Sequence, residues 1–146
     1  VVSAKTAYGQ AGEHINLMSG YGVSKINPDG SWQYTPMQSS STWAYVQYGN
    51  KYIGSVFGGY FKNFGTIDPL VDTEHMYVNP NCSPGLTQAW RIIPSFKVHL
   101  GNFLFGVEYH YTAAQYGTDI NIYGVATQNL HWVGNHRVLA MFQYAW

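Results

Sequence analysis

The chain is short of charge. Lys, Arg, Asp and Glu make up 10% of its 146 residues, against roughly 25% in ordinary soluble domains, and seven cations balance seven carboxylates. With zero net charge and no basic run, there is no electrostatic footprint for a nucleic-acid partner. A single cysteine, Cys82, excludes an internal disulfide. It lies in Asn79-Pro80-Asn81-Cys82-Ser83-Pro84-Gly85, where a nucleophile would be poorly positioned, and reads as an unpaired loop thiol. No apolar run reaches the ~18 residues of a transmembrane helix. No basic segment followed by an apolar core marks a signal peptide, so the chain reads as a mature protein or the C-terminal part of something longer.

Aromatic residues stand in place of the missing charge. Thirteen Tyr, seven Phe and five Trp give 17%, and with abundant Gly and scarce Leu and Glu they favour strands joined by tight turns over helices. The segment His136–Trp146 alternates to the last residue. Val138, Ala140, Phe142, Tyr144 and Trp146 share one face, and Arg137, Leu139, Met141, Gln143 and Ala145 the other. A soluble domain has little reason to finish on an exposed Trp. The closing strand of an outer-membrane barrel has one, because its outward face carries an apolar stripe with aromatics at the interface. A mean hydropathy of -0.18 agrees, since lipid-facing and lumen-facing residues cancel in the average.

Two short turns set the register. Gly101-Asn102 and Gly49-Asn50-Lys51 each separate alternating or aromatic-rich runs and read as hairpins. The other connections, 9–40, 63–88 and 113–135, are long and rich in Gly, Asn, Pro, Asp and Ser. Short turns alternating with long loops match periplasmic turns and extracellular loops. The expected strands are therefore six: 1–8, 41–48, 52–62, 89–100, 103–112 and 136–146. Six do not close a membrane barrel, whose smallest forms have eight, so residues 1–146 read as the C-terminal segment of a larger antiparallel transmembrane β-barrel. A complete small barrel would need further strands near 15–26 and 31–37, where Gly20, Gly22, Pro28 and Pro36 make poor lipid-facing strands.

Charge decides which face is which, because Arg or Lys at the lipid midplane costs about 2–4 kcal/mol. That penalty sends Lys5, Arg91, Lys97, Glu108 and Arg137 to the lumen, together with Gln47, His99 and His110. Val138, Ala140, Phe142, Tyr144 and Trp146 then form the lipid-facing closing strand. Tyr52–Lys62 loads both faces and stays ambiguous, and Pro94 is expected to mark a bulge or a weakly paired site. With Glu108 the lone carboxylate, the wall leans towards anions. Glu108 itself is read as the cross-strand partner of Lys97 or Arg137.

No catalytic or metal chemistry stands out. His14, His75, His99, His110, His131 and His136 are scattered without ligand spacing. Asp68, Asp72 and Glu74 cluster without a calcium-loop pattern, and no nucleophile elbow or phosphate loop occurs. Neither an enzyme, a metal nor a cofactor is expected.

Four stretches carry a likeness: Ser3–Gln10, the aromatic hairpin Trp43–Tyr60, Gly106-Val107-Glu108-Tyr109-His110-Tyr111, and Arg137–Trp146. On these the chain resembles the C-terminal part of Gram-negative trimeric outer-membrane porins of the DcaP-like type, with Trp146 where Phe is usual. The resemblance implies a sixteen-stranded barrel in the outer membrane, assembled as a homotrimer among lipids and passing small polar or anionic solutes, dicarboxylates included. Two other readings stand beside it. One is a complete small barrel with a structural or adhesive role, and the other is a soluble carbohydrate-binding β-sandwich. Loop 9–40, with Trp32, Tyr34 and Met37, serves equally as an infolded constriction or an extracellular cap.

Overall fold

The computed structural model describes residues 1–10, 20–78, 83 and 85–145. Of these, 79% are strand, three times the usual share, so strand pairing carries the whole architecture. The elements are β1 (Val2–Gln10), β2 (Gly20–Ile26), β3 (Trp32–Tyr48), β4 (Tyr52–Thr66), β5 (Met76–Val78), β6 (Leu86–Leu100), β7 (Phe103–Ile120) and β8 (Ala126–Tyr144). All pairings are antiparallel, in the order β5-β2-β3-β4-β6-β7-β8. β1 runs along the remaining stretch of the same β3 edge that β2 occupies. The sheet curls into half a barrel. Its outer edges, along β1 and β8, pair with no other described strand.

Both short hairpins form where the turn residues sit. Gly49 (φ 109°) and Gly101 (φ 59°) take the left-handed conformation that the reversals need. The long connections differ from expectation. β3 begins at Trp32, β4 runs to Thr66, and β7 and β8 extend to Ile120 and back from Ala126, leaving 121–125 as the turn. Side-chain alternation fades in these upper halves because neither face needs a continuous apolar stripe there. Backbone pairing does not depend on that stripe and continues. Two short strands, β2 and β5, also lie within segments expected to be loops, although β2 overlaps the 15–26 region of the small-barrel alternative. Pro94 makes no bulge: it pairs with Val56, and the β6–β7 register is the same on both sides of it. The missing N–H interrupts the ladder locally without shifting it. Cys82, His14 and Trp146 lie outside the described residues.

One end of the half-barrel carries a packed cap. β2, β5 and the upper part of β3 form a small sheet, and the segment after β4 folds back on it. Val23 N–H donates to His75 O (3.1 Å), Val71 N–H to Val23 O (2.9 Å), Leu70 N–H to Ile122 O (2.6 Å) and Thr66 N–H to Tyr123 O (2.7 Å). Val23 and Met37 are fully buried here, with Leu70 and Ala126 nearly so. Elsewhere the sheet has little enclosed core, so the cap is the part of the molecule held by ordinary hydrophobic packing. Met37→Ala is expected to cost about 2–5 kcal/mol of cap stability. Limited proteolysis should then cleave the 67–75 segment while the long strands stay protected.

Candidate functional site

The pairing register sorts every long strand into two faces. Lys5 pairs with Trp43, Trp43 with Gly59, Gly59 with Arg91, Arg91 with Thr112 and Thr112 with Asn135. Because side chains alternate along a strand, Gln47, Lys97, His99, Glu108, His110 and Arg137 fall on the same face as these. All eight residues singled out by charge and polarity therefore share the concave side. Val138, Ala140, Phe142 and Tyr144 fall on the convex side, where Phe142 meets Phe105 and Tyr144 meets Phe103.

Burial on the two faces inverts the soluble pattern. On the convex side Val46, Val56, Phe96, Val107, Val138 and Phe142 stand 47–67% exposed. On the concave side Ser55 is 7% exposed, and Gln47, Ser95, Lys97, Glu108 and His110 are half-buried. Fully burying one such apolar side chain is worth about 1.5–3 kcal/mol. Six of them left half-exposed forgo roughly 5–9 kcal/mol, comparable with the stability of a whole domain.

Rings border this convex band. Tyr52 and Tyr60 on β4, Phe103 and Tyr111 on β7, and His136 and Tyr144 on β8 lie eight residues apart in each pair. That is about 26 Å along the strand. Between the two rows no charged residue reaches the convex face. Its polar groups there satisfy each other: Thr6 Oγ1 and Thr42 Oγ1 are 2.8 Å apart, and Tyr109 Oη is 2.5 Å from His136 Nδ1. Lys62 stands beyond the upper row, its Nζ 5.5 Å from the Phe64 ring centre.

The concave wall holds few ion pairs. Lys97 Nζ lies 3.7 Å from Glu108 Oε1, and His110 Nε2 lies 3.3 Å from Glu108 Oε2. Glu108 thus goes to Lys97, on the diagonal across Gly106, rather than to Arg137, which sits opposite His110. Such a partly exposed pair is worth at most about 1 kcal/mol. Lys5, Arg91 and Arg137 make no ion pair among the described residues, which leaves the wall with an excess of cations.

Beside Arg91 the wall has a hollow of about 340 Å³ lined by Trp43, Phe57, Gly59, Phe61, Arg91 and Thr112, among others. Trp43 and Phe57 stack at 6.1 Å with their planes 29° apart. A side chain at Gly59 would press on the Phe57 ring at 3.2 Å, so glycine keeps the hollow open. Arg91 Nε donates to Thr112 Oγ1 at 2.8 Å. Sequence reasoning missed this feature, and the signal was the loading of both faces in Tyr52–Lys62: Phe57 and Phe61 belong to the concave side.

At the cap, His75 anchors a second cluster. Its N–H and its ring Nδ1 both contact Asp72 Oδ1, at 2.8 and 2.7 Å, and its ring meets Trp32 edge-on at 5.0 Å. Of the segment expected as loop 9–40, Trp32, Tyr34 and Met37 lie on β3, while 11–19 lies outside the described residues. The acidic trio disperses, Asp72 going to His75. No metal-holding group of His, Cys, Asp or Glu occurs among the described residues. Comparison with known proteins returns no match among protein families, curated proteins or solved structures.

The side-chain hydrogen bond from His75, and then its backbone N–H, hold the Asp72 carboxyl below its ordinary range. A depressed folded-state pKa stabilises fully above the unfolded value of about 3.9 and is lost as pH falls through the depressed value. The contribution of Asp72 to cap stability, read from urea unfolding, should therefore be intact at about pH 5 and be lost only below about pH 4. Asp72→Asn should give the acid value already at neutral pH.

Proposed function

We propose that this sheet is part of a water-filled barrel in the outer membrane of a Gram-negative bacterium, working as a porin for small polar or anionic solutes. One observation carries the reading: the exposed convex face is apolar and free of charge between two rings of aromatics, while the charged side chains of these strands lie on the opposite, concave face. Strands tilted ~40° turn 26 Å of strand into about 20 Å of rise, close to the ~25 Å apolar band of outer-membrane barrels. Lipid covers such a face without any second protein layer, and the mutual pairing of Thr6 with Thr42 and Tyr109 with His136 suits a medium that offers no hydrogen bonds.

The open edges of β1 and β8 favour further strands that complete the barrel. Unpaired backbone groups cost several kcal/mol each in hydrocarbon, so a half-barrel has no stable place there. The likeness to DcaP-like porins accounts for those strands and adds a sixteen-stranded homotrimer. Passage needs no proton chemistry, only width and wall charge. Lys5, Arg91, Lys97 and Arg137 against Glu108 favour anions, with Gln47, His99 and His110 as the polar remainder of the wall. A soluble β-sandwich would need a second sheet over the convex face, and the described residues provide none.

The test is extraction and conductance. The native protein should require detergent, migrate as a heat-modifiable trimer and conduct in planar bilayers with a preference for chloride over potassium. Glu108→Gln should strengthen that preference, and Arg91→Glu with Lys97→Glu should weaken or reverse it. A soluble, non-conducting monomer would overturn the proposal.

A further inference from the structure

The cap carries an exposed aromatic face that the wall does not use. Tyr21 pairs with both Pro36 and Tyr77, which places Tyr21 and Tyr77 on the side of Trp32, Tyr34 and Pro36. The rings form a continuous row. Tyr77 and Tyr21 lie 5.1 Å apart, Tyr21 and Tyr34 5.4 Å, and Tyr34 and Trp32 6.4 Å, with His75 5.0 Å beyond Trp32. All four aromatics remain 40–58% exposed. None of the three Tyr hydroxyls nor the Trp32 indole N–H bonds another described residue.

Among the described residues no lysine or arginine points along this face. After the bulge at Ser24, Lys25 pairs with Gln33 and so points to the opposite side. Two carboxylates border it, Asp72 hydrogen-bonded to His75 and Asp29 accepting from the N–H and hydroxyl of Ser31 at 2.9 and 2.7 Å, which disfavours an acidic ligand. The surface thus offers apolar rings edged by hydroxyls, with Tyr21 and Tyr77 tilted by 31° and Tyr34 edge-on to both Tyr21 (89°) and Trp32 (64°). At about half of the 150–250 Å² each ring can bury, the four together present roughly 400 Å², half of the ~800 Å² per partner of a stable protein interface. That is too small for a second copy of the chain and suits a ligand with apolar ring faces and hydroxyl edges.

We propose that the Tyr77–Tyr21–Tyr34–Trp32 row binds a neutral oligosaccharide, whose pyranose faces stack on the rings while its hydroxyls bond the Tyr hydroxyls and the indole N–H. Stacking supplies affinity and the hydroxyls set orientation. The His75–Asp72 pair holds the edge of Trp32 and fixes the end of the row. This site is independent of any passage through the barrel.

Binding is measured on the detergent-solubilised protein by calorimetric titration with maltoheptaose, cellohexaose, chitohexaose and an oligogalacturonate. At least one neutral oligosaccharide should bind. Trp32→Ala and Tyr34→Ala should each weaken it about tenfold or more, and Tyr34→Phe, which keeps the ring and the packing, about three- to tenfold. The proposal fails if no neutral oligosaccharide binds, if only the acidic one does, or if affinity is unchanged in the Trp32→Ala, Tyr34→Ala double variant. It also fails if Trp32→Ala instead lowers the mass of the assembly, which would make the row a contact between copies.

Discussion

Everything else in this molecule depends on one constraint, an unshifted antiparallel register across the lower halves of β1, β3, β4, β6, β7 and β8. A strand slipped by one residue would send its whole apolar set to the opposite face. Here the set stays aligned, with Val46 opposite Val56, Phe96 opposite Val107 and Val107 opposite Ala140. The recorded shifts in these strands, at Gln38/Ser39, Leu86/Gln88 and Tyr116/Thr118, all lie above the upper aromatic row. Register is strict where a face must be uniformly apolar and relaxes where that demand ends.

The same boundary explains what was legible in the sequence. Alternation marked the lower halves of the strands because each residue there answers to one of two environments. Above the row, stretches such as Gln115–Ile120 and Ala126–Asn129 mix polar, glycine and scattered apolar residues without a sustained apolar face, so nothing in their side chains distinguished strand from loop. Their backbones pair regardless. β2 was hidden for another reason: its glycines looked like strand breakers, yet Gly22 has no room for a side chain because Leu70 lies against it. A glycine that reads as weakness in isolation is here a close packing contact. The cation-bearing wall positions were readable because charge excludes them from the apolar face. The Trp43–Phe57 stack was not, since an aromatic is acceptable on either side.

The inverted burial also separates the two parts of the chain physically. The cap is stabilised as a soluble domain is, by Val23, Met37 and Leu70 packed out of water. The curled sheet gains little from its own concave side, where few side chains are fully buried and polar groups mix with rings such as Trp43 and Phe57. Its stability must come from the ladder hydrogen bonds and from whatever covers the convex rings. A barrel built this way tolerates changes on its concave face better than on its convex one, because the concave side chains answer to water and to each other.

That asymmetry bears on why the hollow at Gly59 can exist at all. In a packed core a missing side chain between Trp43 and Arg91 would be a cavity with its own energetic penalty. On the water-lined wall proposed above the same omission would cost little, and Arg91 keeps its bond to Thr112. Phe57 and Phe61 can then project inward without a hydrophobic partner layer behind them. Aromatic side chains are favoured on such a wall only where something other than folding stability selects them, and an open ring pair beside a guanidinium with no ion pair among the described residues is an arrangement suited to contact with solutes rather than to holding the sheet together.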